Sequence, residues 1–216
     1  MHNTVKNLIY IEELIKSKVN KGKLPTIIAV SKTFPIENVL PLIEHGHLHY
    51  GENKVQEALD KWNNVKDQNK SIKIHLIGRL QTNKVKLALK IFDYIHSLDS
   101  EKLAIKISQE QKKQEKSPKI FIQVNIGNED QKSGINKVKL FEFYKFCKNL
   151  NLDIVGIMCI PPKDQNPVNY FLEMSKIQNN INLNELSMGM SADYLEAVKN
   201  NATYVRIGSD IFGIRD

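Results

Sequence analysis

The chain is poor in the residues that most plainly mark a function. It has two cysteines, Cys147 and Cys159, and neither belongs to a CxxC pair. So few thiols argue against a disulfide framework, and Cys159, at the end of an apolar run, reads as a small buried core residue. No apolar run is long enough to cross a bilayer. The N-terminus, Met1-His2-Asn3-Thr4, is soon followed by Glu12 and Glu13 and lacks the shape of a secretion signal. A reducing cytoplasm is the expected location. The six histidines fall into no HExxH or Cys/His spacing, so no metal site is expected. His45, His47 and His49 alternate, but they flank a turn and a strand start and read as loop histidines rather than ligands. No GxGxxG follows the first strand candidate, which weakens a dinucleotide-binding sheet. No carboxylate pair of the glycosidase kind stands at strand ends. No Pro/Gly/Ser-rich linker divides the chain, so a single domain over 1–216 is expected.

What is present is an ordinary globular composition, 41% hydrophobic and 25% charged over 216 residues, with a formal charge of +7. That length can bury a substantial core without staples. The basic charge invites a nucleic-acid reading. The lysines, however, are interleaved with acids along helical stretches, as in Gln109-Glu110-Gln111-Lys112-Lys113-Gln114-Glu115-Lys116. That pattern is a solvated helix face. No aromatic residues interleave with it to form a stacking platform.

Short apolar runs alternate with longer amphipathic ones. Strands are predicted at 26–31, 48–51, 73–78, 94–98, 120–125, 154–159, 186–189 and 204–208, each rich in β-branched or aromatic residues and bounded by polar or Gly/Pro punctuation. Residues 35–44 carry Ile36, Val39, Leu40 and Ile43 in helical phase. Ser100 precedes a run with Leu103, Ala104 and Ile107 in phase, where serine suits an N-cap. The pattern recurs at 138–150 and 170–181, and residues 2–19 read as an extra leading helix. Strict βα alternation implies parallel strands with right-handed crossovers. Eight such units close into a (β/α)8 barrel of the TIM type, with a doubly wound open sheet as the alternative.

In a barrel, function gathers where strands end and βα loops begin. The first strand runs into Ala29-Val30-Ser31-Lys32-Thr33. A lysine there either snorkels to solvent or emerges into the barrel mouth, where desolvation pushes it towards the neutral amine that attacks carbonyls. The second strand runs into Asn53, a hydrogen-bonding candidate that also suits a helix N-cap. After the seventh strand, Ser187-Met188-Gly189-Met190-Ser191-Ala192-Asp193 opens a helix, with Ser191 placed to cap it or to meet an anion. The eighth strand gives Arg206-Ile207-Gly208-Ser209-Asp210, where the Gly208 and Ser209 amides would open a short helix. Loops after the seventh and eighth strands are the usual phosphate site of this fold, through helix N–H groups. A phosphate site facing a strand-one lysine is the geometry that a pyridoxal 5'-phosphate (PLP) Schiff base needs.

These stretches also carry a family resemblance. Together with Tyr50-Gly51-Glu52-Asn53, Gln56-Glu57, the run from His75 through Gly78-Arg79-Leu80-Gln81 to Lys84, Gln123-Val124-Asn125-Ile126, and Lys132-Ser133-Gly134-Ile135, the sequence resembles the pyridoxal phosphate homeostasis proteins. These are single-domain relatives of the alanine racemase N-terminal barrel. The resemblance implies Lys32 as the Schiff-base lysine, Ser191, Gly208 and Ser209 at the phosphate, Arg206 near the pyridine ring, and Asn53 and Ser187 as further ring or phosphate contacts. The family commonly has threonine where this chain has Ser209, and the hydroxyl is retained.

An arginine at the ring nitrogen is always charged and accepts no proton. The nitrogen would stay neutral and carbanion chemistry would be poorly supported. Racemase barrels share this arginine but add a second domain and a partner subunit's tyrosine, whereas this chain ends at Asp216. The expectation is therefore a non-catalytic PLP carrier that stores, buffers or delivers the cofactor. Its expected partners are PLP and PLP-dependent apoenzymes, with neither nucleic acid nor membrane, and it is expected to be a monomer. The alternative is a PLP-dependent amino-acid racemase or lyase of weak activity.

Overall fold

Several of the strand runs are apolar on consecutive rather than alternate residues, which requires both faces of the sheet to be covered. The computed structural model, which describes residues 1–19, 23–129 and 131–213, shows how. The strands are β1 (Thr26–Val30), β2 (His49–Glu52), β3 (Lys73–Leu76), β4 (Tyr94–Leu98), β5 (Lys119–Val124), β6 (Ile154–Cys159), β7 (Glu185–Met190) and β8 (Tyr204–Ile207). They form a closed barrel in sequence order, every neighbouring pair parallel. The seam is made by β8 on β1, with Thr26 opposite Tyr204, Ile28 opposite Arg206 and Ala29 opposite Ile207. The open-sheet alternative is thereby excluded.

Strand alternation divides the apolar residues between two cores. Ile27, Ala29, Val205 and Ile207 belong to the large outer core under the helices, whereas Ile28, Val30, Tyr94, Phe121, Met158 and Tyr204 form a separate core inside the barrel. Arg206, between Val205 and Ile207, therefore points inwards with Tyr204.

Outside the barrel lie α2 (Ile36–Glu44), α3 (Val55–Gln68), α4 (Val85–Ile91), α5 (Glu101–Gln114), α6 (Leu140–Asn149), α7 (Pro167–Asn180), α8 (Tyr194–Lys199) and the four-residue α9 (Ser209–Phe212). So short a helix cannot cover the β8–β1 seam. The leading helix α1 (Asn3–Lys18) does so instead, packing against α8, α9 and α2. Its buried stripe is Val5, Leu8, Ile11 and Ile15, at the three-to-four-residue spacing of one helix face. Asn7 Nδ2 donates to the Ile211 carbonyl at 3.0 Å and fixes the α1–α9 register.

The expected strands 94–98 and 154–159 match β4 and β6 residue for residue. The others shift by one or two positions. β3 ends at Leu76 and β7 extends from Glu185 to Met190. Ser100 is the N-cap residue of α5, as expected, although its hydroxyl makes no capping bond. Two other capping expectations are corrected. The N-cap of α3 is Lys54, not Asn53. That of α8 is Asp193, whose carboxylate accepts from Met190 N, not Ser191.

If α1 closes the seam by burial, Leu8→Ala, at a position 1% exposed, should lower the unfolding free energy by about 2–5 kcal/mol. Tyr10→Ala on the same helix, where the side chain is 62% exposed, should change it by about 0.5 kcal/mol or less. Urea denaturation followed by circular dichroism measures both, and equal effects would contradict this role for the buried face.

Candidate ligand site at the barrel mouth

Residues at alternate positions along β1 face the barrel interior, so Ile28 and Val30 lead to Lys32 just beyond the strand. Lys32 emerges at the C-terminal mouth, where a cavity of about 530 Å³ is lined by Lys32, Asn53, Ser191, Arg206, Gly208 and Ser209. Its walls include Val30, Phe34, Ile77 and Ile160. Among the described lining residues, Lys32 and Arg206 are the ones with a charged side chain.

The loop that carries Lys32 is pinned from below and from the side. Ser31 Oγ donates to Glu52 Oε1 at 2.7 Å. Lys61 Nζ donates to Glu52 Oε1 and to the Ser31 carbonyl, both at 2.8 Å, and Trp62 Nε1 donates to the same Glu52 oxygen at 3.0 Å. Glu52 is fully buried and Lys61 nearly so. Immediately after Lys32, Thr33 takes a positive φ of 67°, an uncommon conformation for a β-branched residue. Its amide donates to the Glu57 carboxylate, which holds the turn in place. The stacked rings of Phe34 and Phe212, 5.0 Å apart, tie this loop to α9.

On the opposite wall, Gly189 has a φ of +89°, and a Cβ there would lie 2.6 Å from Ala197 Cβ, so glycine lets the β7–α8 turn close against α8. Ser191 Oγ accepts from Gly208 N at 3.3 Å, linking the two loops expected to bind phosphate. Gly208 is the N-cap of α9, as the sequence implied.

Arg206 lies below this rim, 4% exposed. Its Nη1 donates to Ser187 Oγ at 2.7 Å and its Nη2 to the Cys159 carbonyl at 2.9 Å. Burial lowers its pKa from the ordinary arginine value, opposed by Cys159 and Asp193. Cys159 is itself buried, which pushes its thiol up to about 12. Both cysteines are free and buried.

The structure thus brings Lys32, Asn53, Ser191, Arg206, Gly208 and Ser209 to one cavity. It sets Ser187 apart. Ser187 is 0% exposed and lies behind Arg206, and it is not among the residues lining the cavity. Ser187, expected as a ring or phosphate contact, here contacts Arg206 instead of the cavity. His75 and His96, to which the sequence assigns no role, are fully buried, and His49, in β2, joins them by a hydrogen bond. The available signal is a polar residue in mid-strand, in KIHL and YIHSL, next to the apolar residues Ile74, Leu76 and Ile95.

A second recess of about 450 Å³ lies at the opposite end, where β3, β4 and β5 begin. It gathers Lys66, Lys73, Lys90, Lys116 and Lys119 around Asp93. Lys66 Nζ bonds Asp93 Oδ2 at 2.6 Å, and Asp93 also accepts from Ile74 N. This is the N-terminal face, which in such barrels serves stability, whereas chemistry sits at the strand C-termini. Among the described residues no helix is long and apolar enough to cross a membrane, and no group of His, Cys, Asp and Glu is placed to hold a metal ion.

Comparison with known proteins agrees with this architecture. Residues 12–216 match the family model of the alanine racemase N-terminal domain. The pyridoxal phosphate homeostasis protein of Pasteurella multocida is 34% identical, with 97% of each chain covered. PipY of Synechococcus elongatus has been solved without PLP and with PLP bound. The first superposes with a TM-score of 0.87 at 30% identity, over 98% of this chain and 100% of PipY. The second gives 0.85 at 30% identity, over 97% and 100%. Alanine racemase of Clostridium difficile shares the fold at 15% identity and a TM-score of 0.73, and 99% of this chain spans 57% of the racemase. By the match of nearly its whole length to both, the chain belongs to the alanine racemase N-terminal domain family and, within it, to the pyridoxal phosphate homeostasis proteins.

Proposed function

We propose that this chain binds PLP in the cavity at the barrel mouth, held as a Schiff base on Lys32, and that its single barrel domain serves to store, buffer or deliver the cofactor. The observation that carries the reading is the shared cavity. Lys32 from the end of β1 shares it with Ser191, Gly208 and Ser209 from the loops after β7 and β8, and with Arg206. The names of the relatives and the PLP-bound PipY structure support it.

The residues fit the cofactor. A cavity of about 530 Å³ is within the range that encloses cofactor-sized ligands. The set of donors suits a phosphate and an aldehyde, with two hydroxyls, an amide, a guanidinium and one primary amine. Gly208 adds an independent sign. Its φ of −116° is open to any residue. A Cβ there would meet nothing closer than Val30 at 3.4 Å. Neither backbone nor packing requires glycine, whereas a ligand drawn close to the main chain would.

Bound PLP supplies an electrophilic carbon and a ring that withdraws electrons most strongly when its nitrogen is protonated. The chain positions that chemistry. The pinned β1–α2 loop aims the Lys32 amine. The hydroxyls of Ser191 and Ser209, with the amides at the start of α9, would hold phosphate oxygens, and Asn53 would add a polar contact from the rim. Arg206 presents permanent N–H donors and would leave the ring nitrogen of a bound PLP unprotonated.

The same arrangement disfavours turnover. Racemisation removes a proton from one face and returns it to the other. Lys32 can serve one face. The remaining charged lining group, Arg206, is no proton donor or acceptor. A cytoplasmic PLP carrier whose partners are PLP and PLP-dependent apoenzymes fits two buried free thiols and this limited chemistry better than a racemase or lyase does.

The purified protein should absorb near the visible edge, and borohydride should fix a pyridoxyl group on Lys32, as read by peptide mass spectrometry. Lys32→Ala should lose the reducible adduct, and its retention at another lysine would refute the assignment. Gly208→Leu should weaken PLP at least about tenfold more than pyridoxal, which lacks the phosphate, since charge-assisted bonds contribute about 1.5–3 kcal/mol each. Equal weakening in a titration of both would remove Gly208 from the phosphate. Incubation of the loaded protein with L-alanine in deuterated water should incorporate deuterium far more slowly than about one turnover per second. Incorporation at or above that rate would establish the enzyme instead.

A further inference from the structure

A row of hydrogen bonds runs through the barrel interior and ends on Arg206. His49 Nδ1 lies 2.9 Å from His75 Nε2, His75 Nδ1 lies 2.9 Å from His96 Nε2, and His96 Nδ1 lies 2.9 Å from Ser187 Oγ. Ser187 Oγ in turn accepts from Arg206 Nη1 at 2.7 Å. His75, His96 and Ser187 are fully buried. The rings are clamped by aromatic neighbours, His75 stacked on Tyr94 and His96 on Phe121, each at 4.2 Å between centroids. His49 stands at the other end of the row, near Lys73, Lys119 and Asp93 of the basic recess.

The direction of every bond follows from one group. A guanidinium donates and never accepts, so one lone pair of Ser187 is taken by Arg206. The single Ser187 hydrogen has His96 Nδ1 as its other partner within hydrogen-bond reach among the described residues. Donating there leaves no buried hydroxyl hydrogen unmatched. A neutral imidazole carries one N–H, so His96 is protonated on Nε2 and donates to His75 Nδ1. By the same count His75 donates from Nε2 to His49 Nδ1. All three bare nitrogens then face the arginine end, and three imidazole dipoles align with their negative ends towards the buried charge. This matters because no carboxylate lies within ion-pair distance of Arg206 among the described residues. Burial keeps His75 and His96 well below the ordinary histidine pKa, helped by neighbouring rings, by Lys66 near His75 and by Arg206 near His96.

We propose that Ser187, His96, His75 and His49 form a neutral hydrogen-bond row of fixed polarity that orients Arg206 and stabilises its charge, making Ser187 and His96 positioning residues for the cavity. Only the ligand arm of the test rests on the PLP reading. In the PLP-free protein labelled with ¹⁵N-histidine, His75 and His96 should each show a bare Nδ1 and a protonated Nε2, unchanged across roughly pH 6–8. A proton on either Nδ1, or an imidazolium at either residue, would overturn the row. Ser187→Ala should weaken PLP roughly tenfold and mix the His96 tautomers, whereas Ser187→Thr, which keeps the hydroxyl, should restore both. Unchanged tautomers and unchanged PLP affinity in Ser187→Ala would reject the positioning role. Should the wild-type protein fail to bind PLP, the function above falls while the ¹⁵N pattern still decides the row.

Discussion

Everything at the mouth depends on the pairing of β8 with β1. Hydrogen bonding of Thr26–Ala29 against residues 204–207 closes the barrel. It sets Ile28 beside Arg206, so that Lys32, two residues past the end of β1, shares a cavity with Gly208 and Ser209 just past the end of β8. Residues from opposite ends of the chain become neighbours only through this seam. Its outer face is covered by α1, because α9 is too short to bury it. Barrel closure, the covering helix and the cavity are thus one connected arrangement, and loosening any of them moves the lysine relative to the loops after β7 and β8.

The barrel interior shows a second constraint, the presence of a buried positive charge. A guanidinium in a low-dielectric site with no adjacent acid carries a desolvation penalty of several kcal/mol unless dipoles replace water. Here the replacements are a serine hydroxyl, a backbone carbonyl and a row of imidazoles. That explains why β3, β4 and β7 carry His75, His96 and Ser187 at inward positions. These residues would be anomalies in a barrel filled by branched aliphatics. Next to Arg206 they are its counter-field.

Much of this was legible in the sequence, and the rest was hidden for identifiable reasons. Period and punctuation place β4 and β6 to the residue, because β6 is a run of six small or apolar residues and YIHSL of β4 lies between Asp93 and Asp99. β7 was read short because Met190 and Glu185 are weak strand signals, and their inclusion depends on pairing with neighbours. Lys32, Asn53, Arg206, Gly208 and Ser209 were found by position at strand ends, a rule that topology alone supplies. Ser187 was placed in the same set, but alternation sends it under the arginine instead of into the cavity. Spacing along the chain says nothing of how the histidines pair. Their partners lie on adjacent strands, twenty or more positions away. The lysines seemed scattered for the same reason, yet five of them meet at the starts of β3 to β5 and the chain around them.

The dependence of the cavity on the seam also sets a time order. A domain emerges from the ribosome from its N-terminus at about 5–20 residues per second. Lys32 and its anchoring Glu52 are made early, while Arg206, Gly208 and Ser209 arrive only with β8. Until that strand has left the exit tunnel and paired with β1, the lysine has no opposite wall. A nascent chain therefore exposes Lys32 before the residues that share its cavity have been made. The assembled cavity is, on this topology, a property acquired only once synthesis has passed the last strand.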